Sequence, residues 1–335
     1  MMLHRYRATG ADLPFADLRL SHPGVAMEGY YWKVTDPSAG RVLIAGIGVN
    51  QGPDGPWATL FLGASNGFVR ELALPGAQAG EDGVWARSGD AFYGDGRRLI
   101  VDLGPDARLD LTFSGVEGWP RRALGGSSIF QCVPGLNQYW HPWILGGVVN
   151  GVATIGDETW DLRGAQLYAE KNWGREGFPD AWWWGQGQGF AGGASVAFAG
   201  GKVTAGKLHT TVTALVVRLP DGRVIRLGNP GTSPVRANVS PGRWELRGRS
   251  ARWVITVDAQ APTEDALILP VPLPSHNINV PGDLENLTGS MRVSVRHRAG
   301  LGRWQTVWAD STDLAALEIG GLERAAQESA RRRKQ

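Results

Sequence analysis

Along most of the chain, apolar and polar residues alternate one by one. Leu109, Leu111 and Phe113 alternate with Asp110 and Thr112, while Met291, Val293 and Val295 alternate with Arg292, Ser294 and Arg296. A period of two puts each apolar set on one face of a strand, dry on that side and wet on the other. Trp253, Ile255 and Val257 repeat the pattern. Turn dipeptides punctuate these runs: Asn150-Gly151 between two apolar stretches, Asp95-Gly96 after Ala91-Phe92-Tyr93, and Asp221-Gly222 between Leu215–Leu219 and Arg223–Leu227. All three read as hairpin turns. Connections this tight leave no room for crossover helices. The pattern predicts an all-β chain of antiparallel strands, with one short helix near the C-terminus, where Ala, Leu, Glu and Arg mix beyond Gly320-Gly321.

The pattern changes between Asp161 and Gly189, with a β-rich half of similar size on either side. Two barrel-like halves are expected, over residues 20–165 and 166–322, followed by a solvated basic tail over 323–335 that ends Arg331-Arg332-Arg333-Lys334. Such a tail leaves contact with an anionic membrane surface open.

Composition sharpens this picture at several points. Among 335 residues there are 48 Gly and 15 Trp. That mixture suits short curved strands around large aromatics and disfavours helix interiors. A net charge of +2 gives no reason to expect nucleic-acid binding. Cys132 is the only cysteine, so neither an intrachain disulfide nor a cysteine-based zinc site can form. The six histidines include no pair at metal-ligand spacing, so no metal is expected. No apolar run reaches about 18 residues, and Met1–Gly10 lacks a signal-like apolar core. These features suit a cytoplasmic chain with no obligate protein partner.

Gly63-Ala64-Ser65-Asn66-Gly67 has the letters of a nucleophile elbow, but Phe68–Leu72 after it reads as a strand, so a hairpin loop is expected. The glycines around Gly46 and Gly185 lack the following helix that a dinucleotide site needs. The most specific stretch is central: Ala169-Glu170-Lys171-Asn172-Trp173-Gly174, then Trp182-Trp183-Trp184-Gly185-Gln186-Gly187-Gln188. As strands, these put Glu170 and Asn172 on one face with Lys171 opposite, and align Trp182, Trp184, Gln186 and Gln188. Aromatic faces leading to amides suit an amphiphile with an apolar body and a polar head. Glu28, Tyr30 and Trp32 alternate in the same way, and Gln138-Tyr139-Trp140-His141 adds further aromatics beside a titratable ring. A carboxyl group desolvated among aromatics keeps its proton and can act as an acid. Glu28, Glu170 and His141 are therefore the candidate catalytic groups. Tyr30, Trp32, Trp140, Asn172, Trp173, Trp182, Trp184, Gln186 and Gln188 are the candidate substrate contacts. A Lys171–Glu170 ion pair would spoil Glu170 as an acid, which favours Glu28.

These segments together resemble the tocopherol cyclase family, related to carotenoid hydratase-like proteins with a doubled lipocalin-like fold. The likeness runs from His22-Pro23 and Glu28-Gly29-Tyr30-Tyr31-Trp32, through the central stretch, to Gly289-Ser290-Met291-Arg292 and Asp310–Gly321. Gly185-Gln186-Gly187-Gln188 departs from the bulkier Val and Cys and the final Asn of plant members. The resemblance implies two lipocalin-like β-barrel halves and cofactor-free acid catalysis on a prenylated hydroquinone: protonation of an alkene and capture of the cation by phenol oxygen. A carotenoid hydratase-like reaction, a pericyclic cyclisation and a non-catalytic lipid or quinone carrier remain open alternatives.

Overall fold

A computed structural model describes residues 2–122, 124–175 and 177–334. Alternation does become strands, and the strands pair antiparallel into two sheets. The first has twelve strands between Met27 and Gly174, and the second has ten between Trp182 and Gly320. In the Ala107–Gly118 strand, Leu109 and Leu111 are buried while Asp110 and Thr112 are exposed. Each sheet curls round its own core. Trp32, Leu60, Phe92 and Trp160 fill the first, and Phe198, Leu215, Trp244 and Val293 fill the second. This is the lipocalin-like doubled fold, with the short helix Leu322–Arg332 after the last strand.

Several expectations need adjustment. Ala165–Gly174 pairs with Met27–Asp36 and Tyr139–Ile155, so it belongs to the first sheet, and the chain changes sheets between Gly174 and Trp182. Asn150-Gly151 makes no turn, because Tyr139–Ile155 runs straight through it. Gly151 is needed there for a different reason. Its φ is 145°, and a Cβ would come 2.1 Å from the Asp110 carbonyl oxygen. Asp95-Gly96 and Asp221-Gly222 do connect neighbouring strands, and Ser65 lies in the loop between Gly55–Ala64 and Val69–Pro75. The expected basic tail is mostly helix. Arg331 and Arg332 both pair with Glu328, at 2.7 and 2.8 Å, and Arg332 Nη1 donates to the Ala266 carbonyl at 2.7 Å. Arg332 docks the helix on the second half, while Arg331 pairs within the helix and stays exposed.

Strand register decides which side chains meet. Glu28, Tyr30 and Trp32 lie opposite Trp173, Lys171 and Ala169, and this face looks into the first half. Gly29, Tyr31 and Lys33 lie opposite Asn172, Glu170 and Tyr168, on the face toward the second sheet. On the inner face Lys171 Nζ lies 2.9 Å from Glu28 Oε1. The His22 backbone N–H donates to the same oxygen at 2.6 Å, and His22 Nε2 lies 2.7 Å from Asp12 Oδ2. Burial alone would raise the Glu28 carboxyl, but Lys171 and His22 outweigh it and hold it at about 2. The network ties the segment before Met27 to two central strands.

Replacing Lys171 with Met should strand the Glu28 charge and destabilise the fold by about 3–5 kcal/mol, read from the urea midpoint. The Lys171→Met/Glu28→Gln pair should recover part of that loss, and a single-variant loss below about 1 kcal/mol would contradict this role. Because the folded Glu28 pKa lies below the unfolded value of 4.5, its contribution is present above that pH and is lost as pH falls toward about 2.

Candidate active site

Two cavities open between the sheets, with about 120 and 80 Å³ accessible to a water-sized sphere. Glu170, Asn172, Phe178, Trp184 and Glu318 line both, so these residues form a shared wall. Elsewhere the first cavity is mainly apolar, with Phe130, Trp140, Trp182, Val203 and Val212. The second adds Tyr31, Thr59, Asp283 and Glu285 beside Phe61 and Leu269.

Glu170 is the centre of this arrangement. The strand Ala165–Gly174 turns its side chain toward the second sheet and turns Lys171 away. Tyr168 OH and Trp184 Nε1 donate to Glu170 Oε2 at 2.6 and 2.8 Å. With both donors on Oε2, the proton of the neutral acid belongs on Oε1. Burial raises the carboxyl to about 7, against the opposing pull of hydrogen bonds from Tyr168 and neighbouring indoles. Among the described residues no cation holds it down, because the nearest lysine in sequence is engaged with Glu28 on the other face.

The second sheet brings three more acids. Trp184 pairs with Glu318 across the sheet, and Glu318 pairs in turn with Glu285. Asp283 lies two residues before Glu285, on the same face. Burial raises Glu285 to about 8, although Tyr31 OH donates to it at 2.8 Å and Lys33 lies near. Burial and the neighbouring carboxylates raise Glu318 and Asp283 well above the usual range. Lys33, buried and bonded to Thr35 Oγ1 and the Leu314 carbonyl, is lowered by desolvation to about 7. Among the described residues, no three His, Cys, Asp or Glu side chains converge as a metal-ligand set.

The expected site residues divide cleanly. Glu170, Asn172, Trp140, Trp182 and Trp184 do meet at the cavities. Trp182 donates to Glu318 across the missing side chain of Gly320, where a Cβ would come 1.8 Å from the indole. Glu28 sits on the opposite face, ion-paired with Lys171, and makes a poor acid. His141 shares that inner face, being paired with Lys171 across the strands; burial and the Lys171 charge lower it to about 3. Trp32 is core, Tyr30 belongs to the same core while touching the second cavity, and Trp173 is stacked between His22 and Tyr139. Gln186 is enclosed, bonded to the Gly187 carbonyl at 3.1 Å, and lines neither cavity. Gln188 lies beyond the strand end at Gly187 and donates to the Leu167 carbonyl at 2.9 Å, stitching the two sheets together. Tyr31, Tyr168, Asp283, Glu285 and Glu318 were not singled out as site residues. An Asp-Leu-Glu alternation at 283–285 was the available signal for two of them.

The Tocopherol cyclase-like family model matches residues 104–321, a span that holds all of the shared wall. A probable chloroplastic tocopherol cyclase of Oryza sativa subsp. japonica is 25% identical over 237 residues, covering 68% of this chain and 49% of the relative. The chloroplastic tocopherol cyclase of Zea mays matches to the same extent, so the chain spans about half the length of the curated relatives it matches. Among solved structures, CghA with Sch210972 superposes with a TM-score of 0.57 at 14% identity, over 93% of this chain and 94% of that one. Kievitone hydratase from Nectria haematococca gives 0.54 at 11% identity, over 92% and 93%. Those likenesses establish the doubled fold. With the family model covering well over half its residues and the buried acid set within that span, the chain belongs to the tocopherol cyclase-like family.

Proposed function

We propose that this protein is a cofactor-free acid catalyst that closes a ring on a prenylated hydroquinone. The observation that carries the reading is Glu170, a carboxyl group without a cationic partner among the described residues, at the wall of a tryptophan-lined cavity. Protonating a trisubstituted alkene needs a positioned acid that still holds its proton near neutral pH, in a site from which water is largely excluded. In the proposed reaction Glu170 Oε1 gives its proton to the less substituted alkene carbon, leaving a tertiary cation. The phenol oxygen forms the new C–O bond, and its proton returns to the Glu170 carboxylate. Atoms and charge balance, and Glu170 ends the cycle protonated. Trp184 and Trp140 offer π-faces to the developing cation. Family membership supports a cyclase-like enzyme, and the acid-lined cavities support this form of it.

The direct assay is incubation with a hydroquinone carrying an unsaturated isoprenoid chain, followed by mass spectrometry. An isobaric cyclised product is expected. A product heavier by one water would point to hydration instead, and retained but unchanged ligand would point to a carrier. Glu170→Gln should keep ligand binding and lower kcat by roughly 10²–10⁴. Near-normal turnover in this variant would exclude carboxyl protonation.

The pH profile has a defined sign. The acid form of Glu170 is the active one, so kcat/KM should fall as pH rises through about 7. Trp184→Phe removes a hydrogen bond that favours the carboxylate, so the alkaline limb should move to higher pH while turnover drops. An unmoved limb would show that Glu170 does not set it.

A further inference from the structure

The proposed cyclisation uses the wall between the two cavities and leaves the second cavity itself without a task. Its carboxyl groups come from one face of two paired strands, Glu285 opposite Glu318 with Asp283 beside them. Tyr31 reaches across from the first sheet to hold Glu285. Asp283 is only 6% exposed, and its Oδ1 has no hydrogen-bond partner among the described residues. An acceptor left bare in a buried site is unfavourable, and a bound donor would offset that cost.

The chemistry of this lining selects its guest. Carboxyl groups crowded in one dry chamber cannot all ionise. Those that keep their protons both donate and accept hydrogen bonds. A phenolic hydroxyl does the same, so the two surfaces are complementary. The first cavity, away from the wall, presents indole, phenyl and aliphatic surface in Trp182, Phe130, Val203 and Val212. That surface suits hydrocarbon, and the polar groups of Ser127, Gln138 and Thr213 are a minor part of the lining.

Resting on the cyclase reading, we propose that the substrate lies across the shared wall, its hydroxylated ring in the second cavity on Asp283, Glu285 and Glu318, its isoprenoid chain in the first. The double bond nearest the ring then falls beside Glu170, which borders both cavities. One ring hydroxyl attacks, while the other stays anchored on the carboxyl cluster. Asp283, Glu285 and Tyr31 act here as positioning residues, and they transfer no proton to carbon.

Binding can be separated from chemistry with an alkylhydroquinone whose saturated chain cannot react, measured by calorimetry under argon. The full-length protein should bind it about tenfold more tightly than its dimethyl ether, the worth of one or two hydrogen bonds. Asp283→Asn and Tyr31→Phe should each shrink that ratio to below about threefold while keeping the gain from a longer chain. Val203→Trp should do the reverse, keeping the ratio and losing the chain-length gain. Tyr31→Phe removes a single hydroxyl, so it remains informative if Asp283→Asn does not fold. An unchanged hydroxyl preference in the second-cavity variants, or a chain-length gain lost in them, would overturn the orientation. If this binding pattern holds but the unsaturated substrate is never turned over, the reaction fails and the orientation stands. If turnover proceeds with the pattern reversed, only the orientation fails.

Discussion

The site depends on the separation of two neighbouring ionisable groups by the pleat of one strand. Glu170 and Lys171 are adjacent in the chain, yet a β-strand sends them to opposite faces of the sheet. Lys171 goes inward, to Glu28 and His22, and its charge is neutralised there. Glu170 goes outward, into a dry seam where Tyr168 and Trp184 provide hydrogen bonds but no full charge. One acid of the pair of glutamates is therefore committed to being an anion and the other is free to keep its proton. Had the strand been a helix, no such division between successive residues would follow.

Packing two curled sheets against each other makes this environment and carries a cost. Buried groups with shifted pKa values tie stability to pH. Glu170 and Glu285 are raised above their unfolded values, so their contribution is whole below pH 4.5 and is lost as pH rises through about 7 and 8. Glu28 acts in the opposite direction at the acid end. Close by, Lys33 bonded to the Leu314 carbonyl, Thr35 bonded to Gln188, and Gln188 bonded to the Leu167 carbonyl stitch the sheets together. Stability is supplied by the barrel cores and this stitching, which leaves the cavity walls free to hold groups that would otherwise be unfavourable to bury.

Much of the fold could be read directly from alternation, because a two-residue period and turn dipeptides are local signals. Asn150-Gly151 misled because a glycine pressed against a neighbouring strand looks the same in sequence as a glycine in a turn. The central Glu-Lys-Asn-Trp-Gly stretch pointed to Glu170, Asn172 and the tryptophans. Alternation told which residues share a face but not which face looks at the seam, so Glu28, Tyr30, Trp32 and His141 were grouped with a cavity they mostly turn away from. The partner of Lys171 is set by cross-strand register, and this reversed the ranking of Glu28 and Glu170. Gln188 was aligned by carrying the period past the true strand end at Gly187. Asp283 and Glu285 follow Pro281-Gly282, which reads as a break, although the strand continues through it from Ile278 to His297.

The most direct test is the ionisation of Glu170 itself, followed by carbon NMR of protein labelled at the glutamate carboxyl carbon, with Glu170→Gln assigning the resonance. A titration midpoint near 7, well above the ordinary carboxylate range, is expected for the ligand-free protein. A midpoint at or below about 4.5 would mean that Glu170 is a carboxylate at neutral pH, and would contradict acid catalysis from this residue.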